Sequence, residues 1–210
     1  MSKLLIYGLT ASTYVRTVRL LLEEIGAEYT LHSINIFNGE NHAPEYLAKQ
    51  PFGRVPTLDV DGELIYETAA ITQYLDTVLA NHKYSPAAPL HQARMRQIMG
   101  IIDSYLYPPA IGTIVIQSLI VPTQGGQTDV EKVNNAIAPV KTALEAIESL
   151  VTGNLYLLGS DITLADFYLI PIFVYLAQTP AFATVTAQTP KLAAWWDTAS
   201  QLPNVKKVCQ

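Results

Sequence analysis

Cysteine occurs once in the 210 residues, as Cys209. That excludes an internal disulfide and any Cys-x-x-Cys redox pair. Histidine is nearly as scarce: His32, His42, His82 and His91 are scattered and offer no metal-ligand spacing. Charged residues make up only 15% of the chain, 13 Lys+Arg against 18 Asp+Glu, for a net charge of −5. With no basic cluster, nucleic acid and anionic membrane are excluded as main partners.

What is plentiful points to a packed protein. Half of the residues are hydrophobic, which excludes intrinsic disorder. The length admits one large domain or two small ones, and a chain of this size buries about 70% of its unfolded surface. The apolar run at 4–9 is too brief for a signal-peptide core. Two long uncharged stretches, 104–128 and 167–190, contain Pro and several polar residues. They read as buried or pocket-lining helices, not membrane spans. The expected compartment is the reducing cytoplasm.

Lys3 to Tyr7 reads as a buried strand, followed by a turn of small and hydroxyl residues, Gly8-Leu9-Thr10-Ala11-Ser12-Thr13. From Tyr14, Val15, Val18, Leu21, Leu22 and Ile25 recur at helical spacing, and Gly26 is a natural stop. Tyr29, Leu31, Ile34 and Ile36 suggest a second strand, completing a parallel β-α-β start. A short helix at 43–49 has Pro44 in its first turn. Asp61-Gly62 between 55–60 and 63–66 signals a hairpin, with Pro56 at the start or edge of its strand. A helix with Ile71, Tyr74, Leu75 and Val78 on one face follows. After the Pro-containing stretch 81–89 only helical patterns appear, at 91–120 with a possible bend at Pro108-Pro109, then 129–151, 163–176 and 190–202.

Pro51-Phe52-Gly53-Arg54-Val55-Pro56-Thr57-Leu58, then Asp61-Gly62, then Glu67-Thr68 with Ile71 and Tyr74-Leu75, resembles the glutathione S-transferase superfamily. Gly159 followed by Thr163-Leu164-Ala165-Asp166 extends the likeness over the whole chain, and its type resembles bacterial-like, serine-type members. The resemblance implies an α/β N-terminal thioredoxin-like domain over 1–80, a linker at 81–89 and an all-α C-terminal helical domain over 90–210. It implies a homodimer, and glutathione as co-substrate with no permanently bound cofactor. The reaction implied is conjugation of the glutathione thiolate to hydrophobic electrophiles, a detoxification activity. A non-catalytic binding or regulatory protein, or a glutathione-dependent peroxidase or dehalogenase, stays open as an alternative.

The chemistry needs a thiolate. A free thiol with a pKa of about 8.5 is about 3% ionised at pH 7, and lowering that pKa by about two units requires about 2.7 kcal/mol. A helix N-terminus supplies roughly 0.3–1 kcal/mol, and a hydroxyl bonded to a charged group roughly 1.5–3 kcal/mol. A hydroxyl in the loop before the first helix is therefore sufficient. Ser12 stands there, matching the serine of serine-type members; Ser as a simple N-cap is the bland alternative. Thr10 and Thr13 are neighbouring hydroxyls. Tyr7, at the end of the first strand, matches the catalytic tyrosine of tyrosine-type members. The loop has no cysteine, which disfavours disulfide reduction and the cysteine-type members.

The same resemblance supplies the other candidates. A cis peptide at Val55-Pro56 turns the Val55 backbone toward the cysteinyl backbone of a bound peptide. Arg54 and His42, with Asn41 and Lys49 near them, are candidates for glutathione carboxylates. Thr68 suits the γ-glutamyl carboxylate at a helix N-terminus, and Glu67 its amino group. Asp103 is a candidate to reach the partner subunit's glutathione. Phe52 is the candidate dimer knob, and Leu9, Tyr105 and Pro109 candidates for the electrophile pocket. Asp166 reads as a helix-start carboxylate, and Trp195-Trp196 as packing of the last helix.

Overall fold

The computed structural model describes residues 3–209. They form two compact units: residues up to Lys83 joined by the chain from Lys207 onward, and the segment Tyr84–Lys206.

The first unit is built on a four-stranded sheet with the order β2-β1-β3-β4. β1 (Leu4–Tyr7) runs parallel to β2 (Thr30–His32) and antiparallel to β3 (Thr57–Val60), which pairs with β4 (Glu63–Tyr66). Between β1 and β2 lies α1 (Thr13–Ile25). Val15, Val18, Leu21 and Leu22 are fully buried, so the helical spacing read in the sequence is the core stripe. Gly26 ends α1 at φ 77°, a left-handed C-cap that only glycine adopts without strain. Ile6 and Leu58, paired across β1 and β3, are fully buried.

Three local expectations are corrected. β2 ends at His32 rather than running to Ile36. Asn35 accepts the Phe37 N–H and Asn38 the Glu40 N–H, so side chains turn the chain away from the ladder. α2 is one turn, Pro44–Leu47. In α3 (Thr68–Ala80) the buried stripe is Ile71, Thr72, Leu75 and Asp76, while Val78 is 56% exposed. The last helix of the chain returns to this unit, where the Lys207 ammonium bonds the Glu23 carboxylate on α1.

The second unit is helical. Its long helix α4 (Pro89–Thr123) is apolar and long enough to cross a membrane by length and composition, and Met95, Ile98, Ile102, Leu106 and Ile114 on it are buried. Pro108 and Pro109 bring no N–H to it. The helix adopts wider π turns on either side, Ile102–Leu106 and Ala110–Ile120, so the expected bend is met by a change of hydrogen-bond register. α5 (Val130–Leu150), α6 (Leu164–Leu176), α7 (Phe182–Thr186), α8 (Pro190–Ala199) and α9 (Pro203–Cys209) follow. α7 and α9 are additions to the sequence reading.

α6 is buried along most of its length, and one carboxylate fixes its start. Asp166 Oδ2 accepts the Thr163 N–H and hydroxyl at 2.8 and 2.7 Å. Its Oδ1 accepts the Leu157 N–H and the Trp195 indole N–H at 2.9 and 2.8 Å. Burial pushes this carboxyl up, against the pull of those donors. Both oxygens face donors only, so Asp166→Asn sets an NH₂ group against two of them. The expected loss is about 2–4 kcal/mol of stability, read as a lower urea midpoint with an unchanged slope.

Candidate active site at one end of the sheet

Strand register decides where the candidate loops lie. Tyr7 pairs with Thr57 and Thr57 with Tyr66. The chain therefore leaves β1 toward Ser12, enters β3 from Val55-Pro56 and leaves β4 into Glu67-Thr68 at the same end of the sheet.

The first of these loops is a tight turn, with the Ser12 N–H on the Leu9 carbonyl at 2.9 Å. Ser12 is the N-cap of α1, its Oγ accepting the Val15 N–H at 3.5 Å. That bond is long, and it uses an oxygen lone pair, leaving the hydroxyl hydrogen to donate elsewhere. No acidic residue stands in the first turn of α1, so its positive end is not neutralised from within the helix. Thr13 is turned inward, its Oγ1 buried without a hydrogen-bond partner. Thr10 is exposed, and its carbonyl is held by the Arg16 guanidinium at 3.1 Å.

The second loop is clamped by three buried side chains that sequence reading did not assign this task. Gln50 Oε1 accepts the Phe52 and Arg54 N–H groups at 2.7 and 3.0 Å. Asn41 donates to the Gly53 carbonyl at 2.8 Å, and Tyr46 to the Arg54 carbonyl at 2.6 Å. Gly53 has φ 61°, and a β-carbon there would stand 2.7 Å from the His42 ring, so only glycine fits. The Val55-Pro56 peptide is cis. Among the described residues, no partner takes the Val55 N–H or carbonyl. Nothing in the sequence marks this clamp, since Tyr46 and Gln50 show themselves as buried only in the fold.

The third loop starts α3. Glu67 is its N-cap, yet neither Glu67 nor Thr68 caps it with a side chain. Glu67 holds φ 68° and ψ 117°, a strained conformation for a residue with a β-carbon. The first-turn N–H groups of a 13-residue helix thus point outward without a protein acceptor, an arrangement suited to an anion.

The other candidates lie as follows. The Tyr7 ring packs edge-on against His32 at 5.2 Å, against Tyr46 at 6.5 Å, and beneath the Lys49 ammonium at 5.1 Å. Both Tyr7 and Lys49 thereby have a structural occupation. His42 and Arg54 are exposed, and Leu9 is half-buried. Phe52 is 65% exposed and meets the Tyr66 ring edge-on at 6.2 Å. In the second unit Asp103 is exposed, Tyr105 is 68% exposed and Pro109 is half-buried, all on α4. Asp166 and Trp195 are bonded to each other, as described above. Burial pushes the Cys209 thiol up, against the pull of Arg16 and Arg19, which makes it a poor nucleophile. Among the described residues no three His, Cys, Asp or Glu side chains converge as metal ligands do.

Comparison with known proteins gives this geometry a setting. Residues 11–78 match the model of the glutathione S-transferase N-terminal domain, and 107–203 that of its C-terminal domain. Glutathione S-transferase 1 of Zea mays is 33% identical, over 99% of this chain and 96% of the relative. Among solved structures, glutathione transferase F7 from Populus trichocarpa superposes with a TM-score of 0.85 at 30% identity, covering 98% of this chain and 97% of that one. Glutathione S-transferase I from maize, in complex with an atrazine glutathione conjugate, superposes at 0.83 with 30% identity, covering 98% and 96%. Rice, wheat and Arabidopsis relatives accompany the maize one. The expected bacterial likeness is therefore corrected to a plant one. The strings around Pro51–Leu58 and Glu67-Thr68 carried the superfamily resemblance, which the two matched domain models bear out.

The strain at Glu67 has a measurable consequence. Glu67→Gly removes a positive-φ penalty of about 1–3 kcal/mol and adds about 0.5–1 kcal/mol of unfolded-state entropy. The variant should be more stable than the parent by about 0.5–2 kcal/mol in urea unfolding. A lower midpoint would show that the conformation carries no strain.

Proposed function

This chain belongs to the glutathione S-transferase family, and on that premise we propose how it acts as a glutathione transferase. Glutathione lies along the end of the sheet where the three loops emerge. Val55 pairs with its cysteinyl backbone, a short strand-like bridge to the loop that enters β3. The uncapped start of α3 takes the γ-glutamyl carboxylate through backbone N–H groups and the Thr68 hydroxyl, with Glu67 on the amino group. His42 and Arg54 stand where a glycyl carboxylate is expected.

This places the sulfur at the turn before α1. Ser12 donates its hydroxyl hydrogen to the thiolate while its oxygen still accepts from Val15, so the cap and the catalytic role coexist. The positive end of α1 adds its share. A hydrogen bond to a charged group and a helix end together match the roughly 2.7 kcal/mol that ionisation at neutral pH requires. The thiolate then attacks a hydrophobic electrophile, and its negative charge passes to the acceptor. The maize structure with an atrazine glutathione conjugate supports this product class.

The reading is of the serine type. What favours Ser12 over its neighbours is that Thr13 is buried inward and Tyr7 is packed between His32, Tyr46 and Lys49. The exposed Phe52 supports a homodimer in which it enters the partner subunit. Use of glutathione as a free thiol accords with a cytoplasmic, detoxifying enzyme, since that compartment keeps thiols reduced.

The observation that carries the proposal is a capping hydroxyl with its hydrogen free, at the end of the sheet where Val55 is unpaired. Its test is Ser12→Ala. kcat/KM should fall roughly 10- to 10³-fold, about 1.4–4 kcal/mol. Thiolate absorbance of bound glutathione, followed against pH, should titrate closer to the ordinary thiol value of about 8.5. kcat/KM rises with pH as the thiol ionises, so that limb moves to higher pH in the variant. An unmoved titration assigns the thiolate to another group.

A further inference from the structure

The Val55-Pro56 dipeptide is bracketed by one hydroxyl. Tyr46, on α2, donates to the Arg54 carbonyl just before the dipeptide at 2.6 Å, and lies 3.0 Å from Thr57 Oγ1 just after it. A phenol has one hydrogen. Since the Arg54 carbonyl can only accept, the Thr57 hydroxyl must be the donor in the second bond. The result is a directed chain, from Thr57 to Tyr46 to the Arg54 carbonyl, closed around the residue whose own N–H and carbonyl are unpaired. All of its side chains are inside: Tyr46 is 3% exposed and Thr57 fully buried.

We propose that Tyr46 is a positioning residue for glutathione, setting through the Arg54 carbonyl and Thr57 the angle at which Val55 presents its backbone pair. The inference rests on the glutathione reading above. Tyr46 touches neither sulfur nor electrophile in this scheme, so its effect belongs to binding and not to the chemical step. Burial pushes its phenol up, against the bond from Thr57, so it remains a donor across the working pH range. The chain also ties the loop to β3, whose Thr57 is register partner to Tyr7 at the end of β1.

Tyr46→Phe removes the oxygen and keeps the ring. KM and Kd for glutathione should rise about 5- to 30-fold, with kcat at saturating glutathione within about twofold and KM for the electrophile unchanged; such a range corresponds to one to two lost hydrogen bonds. Thr57→Val, which leaves the bond to Arg54 in place, should raise KM for glutathione less, about 2- to 5-fold. The thiol titration of bound glutathione should stay where it is in both variants, in contrast to Ser12→Ala. A purely stabilising role would lower the melting temperature and leave KM alone. Should Tyr46→Phe fail to fold, Thr57→Val carries the test by itself. Isothermal titration of the parent chain with glutathione separates the two readings. No binding by the parent overturns the substrate assignment and this inference with it. Binding by the parent that neither folded variant weakens overturns this inference alone.

Discussion

In the proposed reading, recognition depends on backbone groups held ready in a loop that has no regular structure of its own. From Phe52 to Arg54 each N–H has a partner inside the protein, and the next one, on Val55, has none. An unpaired amide on a half-buried residue is tolerable because water serves it. Exchanging water for a peptide gains only about 0.5–1.5 kcal/mol per bond. Two such bonds on Val55 are worth between about fivefold and a hundredfold or so in affinity. A gain that small survives only if the loop need not be ordered first, since fixing one residue's backbone costs roughly 1–2 kcal/mol. The Gln50, Asn41 and Tyr46 side chains meet that cost when the protein folds.

The two helix starts at this end of the sheet are treated in opposite ways. α1 is capped by Ser12, and a serine can cap and donate at once because it has both lone pairs and a hydrogen. α3 has no side-chain cap, and its N-cap residue stands in a strained conformation. Both choices leave a positive helix end facing the same region. In the proposed reading one serves an anion that must be created there, the sulfur, and the other an anion that arrives already charged, a carboxylate. The first therefore needs a dedicated hydrogen-bond donor. The second can draw on the N–H groups that every helix start exposes, with the Thr68 hydroxyl beside them.

The architecture was legible because its signals are local. The spacing of Val15, Val18, Leu21 and Leu22 is the stripe that packs α1, and Asp61-Gly62 forms the turn between β3 and β4. Asp166 read correctly as a helix-start carboxylate, although its bonds to Leu157 and Trp195 span 9 and 29 residues and left no trace in the pattern. Where the reading failed, a side chain had overridden periodicity. Ile34 and Ile36 looked like strand, but Asn35 and Asn38 bond the backbone and end it. Val78 looked like core because two helical faces one residue apart have similar spacing, and tertiary contact chose the face of Thr72 and Asp76. The clamp was invisible for a related reason. Tyr46 and Gln50 resemble ordinary surface residues of a short helix, and only the close return of the chain at Gly53 buries them.

A site built this way divides its residues by what a substitution can disturb. In the proposed reading Val55 contributes only main-chain groups, so its side chain can change while those groups stay in place. Gln50, Asn41 and Tyr46 hold the loop, each satisfying a carbonyl or amide whose loss of a partner would cost up to about 1–3 kcal/mol. Ser12 differs, because in the proposed reading a side-chain atom there meets the reacting sulfur. Its capping duty ties that atom to the first turn of α1, so the hydroxyl is presented from a fixed backbone and the proposed role asks for no rearrangement.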